Sequence, residues 1–210
     1  PPRCAAMPPR ALARIGLLTA LACASLAAQE AGSGTAAHAG HGSHGGAIPG
    51  LKKELFEGIT EADFMKLGDK PKTVKVVLVA TLTDDNHGMN FNGYSKGGAT
   101  WFIPVGWTVE VEFINPSPVP HSAIVIERAD TKKLQVAEPW FAGGAVEKHL
   151  QGIALSKAGF TFTADEEGEY AFACGFPAHA IAGHWVALEV TGADSKPMLK
   201  LGDGEPREIK

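Results

Sequence analysis

The segment Cys174-Gly-Phe-Pro-Ala-His179-Ala-Ile-Ala-Gly-His184 carries one thiol and two imidazoles. It lies between two strand-like runs, Gly168 to Cys174 and His184 to Val190, so one loop gathers all three donors. A further imidazole, His121 in VPHSAIV, stands at the start of another run. Its distance along the chain is no obstacle, because neighbouring strands of a sandwich are often remote in sequence. A thiolate with two imidazoles in a rough trigonal plane, plus a weak axial donor, is the ligand set of electron-transfer copper sites. A rigid β-scaffold would keep that geometry from relaxing between Cu(I) and Cu(II). Three imidazoles and a thiolate also suit a tetrahedral zinc shell, which would be redox-silent. Taken singly, a buried Cys is commonly a small hydrophobe. The grouping of these four side chains is what points to a metal.

The elements that must position them read as short β-branched and aromatic runs. These are Val74 to Leu82, Thr100 to Ile103, Thr108 to Ile114, Ser122 to Glu127, Gly159 to Thr163, Gly168 to Cys174 and His184 to Val190, with Gly, Pro, Asn and Asp between them. Many short strands separated by turn residues predict an all-β domain, a sandwich or barrel, over residues 73–195. Before it, Leu51, Leu55, Ile59, Phe64, Met65 and Leu67, with Thr60-x-x-Asp63 as a helix-start signal, predict a short helical segment within 51–72. After it, residues 196–210 are polar and read as a loosely held tail.

The first 28 residues read as a secretory signal: Arg10 and Arg14, an apolar run from Ile15 to about Ala27, then small residues before Gln29. The expected location is therefore outside the cytoplasm, periplasmic or at the outer face of the cytoplasmic membrane. Cys23 in LTALAC is an alternative lipid-attachment site, the one membrane association the sequence suggests. Residues 29–50 are rich in Gly, Ala, Ser and His and read as a flexible linker, in which His38, His41 and His44 recur every three residues.

The chain has 210 residues, 45% hydrophobic and 20% charged, with a formal net charge of −4. That composition excludes an outright disordered protein, and with no long basic run it argues against a nucleic-acid partner. Cleavage after Ala28 removes Arg3, Arg10 and Arg14 and no acid, leaving 16 basic against 23 acidic side chains. It also removes Cys4 and Cys23, so Cys174 has no partner for an internal disulfide. No Ser-His-Asp set, phosphate-binding glycine loop or paired-carboxylate site is present, which removes hydrolase and nucleotide chemistries.

The stretch GATWFIPVGWTVEVEFINPSPVPHS, followed later by GEYAFACGFPAHAIAGHW, resembles a cupredoxin, and among cupredoxins it is most similar to sulfocyanin. The matching pieces are Asn90-Phe91-Asn92-Gly93, Pro104-x-Gly106-Trp107, Pro120-His121, Phe172-Ala173-Cys174-Gly175, His179-Ala180-x-Ala182-Gly183 and Trp185, spread over Val74 to Val190. The resemblance implies a Greek-key β-sandwich with one mononuclear copper, acting as an electron carrier. It implies His121, Cys174 and His179 as equatorial ligands. It also implies redox partner proteins, a terminal oxidase or another respiratory complex among them. Where sulfocyanin has an axial Met, this chain has His184. Imidazole is the stronger donor toward Cu(II), so a lowered potential and a perturbed type 1 centre, green or red instead of intense blue, are expected. Two further readings stay open: a nitrosocyanin-like red copper enzyme or small-molecule binder, and a copper storage or delivery protein using His38, His41 and His44.

Other residues carry weaker signals. Ser122 could donate a hydrogen bond to the thiolate. Phe91 and Asn92 fit either a turn or an approach to the site. The apolar residues around His179, from Phe176 to Ala182, suggest a docking patch. Asp165, Glu166 and Glu167 read as a solvated turn, His87 as a loop histidine and His149 as a surface residue.

Overall fold

The computed structural model describes residues 48–210. The signal-like segment, Cys23 and the His38, His41 and His44 tract lie outside the described residues. Among the described residues, ten strands make two sheets. They are β1 (Met65–Leu67), β2 (Thr73–Val79), β3 (Ala99–Pro104), β4 (Trp107–Asn115), β5 (Ile124–Glu127), β6 (Ser156–Ala164), β7 (Gly168–Ala173), β8 (Trp185–Thr191), β9 (Met198–Leu201) and β10 (Arg207–Glu208). One sheet has the order β1-β2-β4-β6 and the other β10-β9-β3-β8-β7-β5. The pairs β2/β4 and β3/β8 are parallel and the rest antiparallel. This is the Greek-key β-sandwich that the sequence predicts. Among the described residues no helix is long and apolar enough to cross a membrane.

Period-two patterning explains the layers. In β4, Val109, Val111 and Phe113 are buried while Glu110 and Glu112 alternate outward, and in β6 Phe160 and Phe162 face the same interior. Opposite them, Trp101 and Ile103 of β3, Phe172 of β7 and Leu188 of β8 fill the second layer. Each fully buried aliphatic or aromatic side chain of this kind stabilises the fold by about 1.5–3 kcal/mol.

Strand β7 is apolar on both faces. Tyr170, Phe172 and Cys174 point into the sandwich, whereas Ala171 and Ala173 pack with Ile124, Ile126 and Ala180 beneath the long connection between β5 and β6. Cys174 is thus held at the end of a strand buried from both sides.

One expectation needs refining and one correcting. The short helical segment expected within 51–72 is present as two single 3-10 turns, Lys53–Leu55 and Glu61–Asp63, with no α-helix, and strand β1 follows. The Thr60/Asp63 capping box forms as its spacing suggests. It caps one turn only, because Phe64 and Met65 leave the helical path to enter the core. The segment 196–210 is no loose tail. Strand β9 pairs with β3 and buries Leu199, and β10 closes that edge of the sheet.

Candidate metal centre

Four donors meet at one end of the sandwich. His121 precedes β5, Cys174 follows β7, His184 precedes β8, and His179 sits in the turn between the last two. One ligand atom from each of the four lies within 4.8 Å of the others. His121 Nδ1 and His179 Nδ1 are 3.3 Å apart, and Cys174 Sγ is 3.4 Å from His179 Nδ1. Donors bound roughly 2.0–2.3 Å from one ion lie about 3.3–3.7 Å from each other. The two shortest separations, His121–His179 and Cys174–His179, fit that spacing. His87 is an exposed loop residue outside this cluster, as expected.

The backbone fixes each donor. Cys174 N–H donates to His184 O, and His184 N–H donates to His179 O, closing the loop on itself. On the far side, Asn86 Nδ2 donates to Ala182 O, Lys96 N–H to Gly183 O and Gly97 N–H to Trp185 O. His121 is locked by reciprocal backbone bonds with Ile153. The loop must be glycine at 183, where φ is +100° and a Cβ would lie 2.6 Å from the Lys96 side chain.

The thiol is embedded among donors. Ser122 N–H points at Cys174 Sγ from 3.3 Å, Ser122 Oγ lies 3.9 Å from it, and Gly175 N–H donates to that Oγ at 2.9 Å. Burial pushes the Cys174 thiol up to about 11, against the lowering effect of backbone N–H groups at Ser122 and Phe176. Burial also lowers the three histidines: His121 to about 4, His184 well below the ordinary imidazole value, and His179 in the same direction. Crowding by the other imidazoles adds to the effect at His121 and His184. At neutral pH the site holds neutral imidazoles, whose lone pairs can be offered to a cation.

His184 carries the sharpest signal. Its ring is fully buried against Phe91, and neither ring nitrogen has a hydrogen-bond partner; the Asn90 backbone approaches it without hydrogen-bond geometry. A buried unsatisfied polar group costs about 1–3 kcal/mol. A metal would supply a partner for the nitrogen that carries the lone pair, and soft thiolate with imidazole suits copper. The residues therefore fit the ion that the resemblance implies.

The profile of the sulfocyanin (SoxE) domain matches residues 61–199. The chain belongs to the sulfocyanin domain family. It is 29% identical over 137 residues to sulfocyanin of Sulfolobus acidocaldarius, a match covering 60% of this chain and 67% of that protein. Among solved structures, it is similar to the copper protein rusticyanin, with 26% identity over 62% of this chain and 88% of that one, TM-score 0.38. It is also similar to auracyanin A, a blue copper protein from Chloroflexus aurantiacus, with 19% identity over 57% of this chain and 99% of that one, TM-score 0.41. As a sulfocyanin-like cupredoxin, the protein is a one-copper electron carrier and not an enzyme.

Within this sulfocyanin domain the structure sorts the weaker signals. Phe91 does reach the site, its ring centroid 4.3 Å from that of His184. Asn92 serves the turn: with φ +56°, its side chain accepts from Val79 N–H and donates to Val77 O. Ser122 sits where a thiolate donor is needed. The Asp165 to Glu167 run is an exposed turn leading into β7. His149 is no plain surface residue. It is partly buried, and its ring packs on Gly175, where an added Cβ would lie 2.8 Å from His149 Cδ2. Its local sequence, VEKHLQG, contains nothing that marks this contact.

Proposed function

We propose that His121, Cys174 and His179 hold the copper as equatorial ligands and that His184 is the axial one, giving a perturbed type 1 centre. The observation that carries this reading is the fully buried His184 ring with both nitrogens unpartnered among three other donors. Copper bound there supplies one-electron cycling between Cu(I) and Cu(II). The chain's own residues do the rest. Ser122 stabilises the thiolate charge through its N–H, Phe91 and Phe113 exclude water behind His184, and the hydrogen-bonded loop holds the donors in one arrangement for both oxidation states. That rigidity keeps the reorganisation accompanying each electron hop small.

His179 is the ligand that approaches the surface. Around it Ala178, Ile181 and Ala182 are exposed, Ile181 by 50%, and Phe176 packs against its ring in a tilted arrangement, the centroids 4.7 Å apart. This apolar patch suits brief docking of a redox partner, with the electron leaving through the His179 edge. A partner in a respiratory chain and a site of action outside the cytoplasm follow from the resemblance and the signal-like leader.

Metal analysis and an absorption spectrum of the purified protein test the proposal. One copper per chain with a green or red spectrum supports it. Stoichiometric zinc, or an intense blue spectrum unaltered by substitution of His184, overturns it.

A further inference from the structure

The connection between β5 and β6 sends a strap, Lys133–Val136, across the outside of the Cys174–His179 loop. The two enclose a void of only about 10 Å³ lined by Leu134, Val136, Cys174, Gly175 and Phe176. Burial of the Leu134 side chain does not seat the strap, since that residue is 69% exposed. Val136, partly buried, packs against Ile124, Ile126 and Ala180, and two hydrogen bonds fix the strap on the loop. Leu134 O accepts the Ala178 N–H at 2.7 Å, and Val136 O lies 3.3 Å from His149 Nε2. A carbonyl can only accept, so the second bond places the imidazole proton on Nε2.

The first of these bonds falls at a telling place. Ala178 has φ +69°, a left-handed conformation that an alanine adopts only when its surroundings impose it. It immediately precedes His179, so its backbone angles aim that imidazole. The second bond comes from a ring that also rests on Gly175, directly after the thiol. One side chain therefore touches both the loop's beginning and the strap that pins its middle.

We propose that His149 is a positioning residue of the metal centre: it clamps the Lys133–Val136 strap, which holds Ala178 left-handed and so fixes the direction of His179. Copper itself does not touch His149. The effect on the centre rests on His179 being a ligand, whereas the effect on Ala178 does not.

The test compares wild type, His149→Ala and His149→Gln, the last keeping an N–H donor of similar reach. In the metal-free protein, hydrogen exchange at the Ala178 amide should quicken at least tenfold in His149→Ala, with the β4 amides of Val109 and Val111 unchanged. His149→Gln should restore most of the protection. In the copper-loaded protein, the copper hyperfine splitting of His149→Ala should differ from wild type and that of His149→Gln should approach it. Unchanged Ala178 exchange in His149→Ala overturns the clamp, whatever metal the site takes. Equal quickening at Ala178 and in β4 overturns it too, since that reports general loosening. Faster Ala178 exchange with an unaltered copper spectrum overturns the claim on His179. If wild type takes up no copper, the ligand proposal fails while the exchange comparison still decides the clamp.

Discussion

The imidazole of His184 packs against Phe91 at a centroid distance of 4.3 Å and against His121 at 4.8 Å, and neither of its nitrogens is hydrogen-bonded. A histidine confined this way gains nothing from the protein for its polarity. The proposed ligand role, at the position where sulfocyanin has methionine, would give one of those nitrogens a partner.

Replacing His184 by Met should therefore return the centre to intense blue and raise its reduction potential, because thioether disfavours Cu(II) relative to imidazole. A tenfold change in the Cu(II)/Cu(I) affinity ratio corresponds to about 59 mV for one electron. A rise of at least that size in a voltammetric or redox titration is expected. An unchanged potential and colour would remove His184 from the ligand set.

Ser122→Ala keeps the backbone N–H that faces Cys174 Sγ but deletes the hydroxyl 3.9 Å away, which also accepts from Gly175 N–H. With fewer donors near it the thiolate holds more charge, Cu(II) is favoured, and the potential should fall. The orphaned Gly175 N–H should cost about 1–3 kcal/mol of stability in chemical denaturation. A potential that rises would contradict this placement of Ser122.

The metal-free protein should lose stability in acid. The three site histidines have folded pKa values below the ordinary imidazole value, that of His121 at about 4. Below about pH 6.5 the unfolded chain takes up protons that the folded chain refuses, so the folded state weakens as pH falls from there toward 4. Denaturant midpoints at pH 7 and pH 5 check it, with the lower value expected at pH 5 and a smaller difference in His184→Met. Conversely, Cys174 is a neutral thiol at pH 7.5, so metal uptake there should release close to one proton.

Asn92→Ala should destabilise the domain without altering the copper spectrum. The substitution strands the Val79 N–H and the Val77 carbonyl of β2 and puts alanine at φ +56°. Losses on the order of 3 kcal/mol are expected from one buried and one partly buried unpaired group together with the strained alanine. A spectrum that shifts with this variant would mean that the 90–93 turn shapes the site as well as the sheet.

The donors were legible because strand alternation and the Cys174, His179, His184 spacing are local signals. Seven strands could be read from β-branched runs for the same reason. Met198–Leu201 is not legible: Lys196 and Pro197 precede it and Lys200 lies within it, and its strand conformation comes from pairing with β3 and from Leu199 entering the core. Phe64 and Met65 carry a helical spacing that burial overrides. His149 gave no signal because its role depends on Gly175, which is remote in sequence and reached only through the β5–β6 connection.

The proposed centre joins three imidazoles and one thiolate to a single copper. Electron–nuclear double resonance on the Cu(II) protein counts the bound nitrogens directly. Three inequivalent imidazole couplings are expected, with the third vanishing in His184→Met. Two couplings in wild type, unaffected by that substitution, would contradict it.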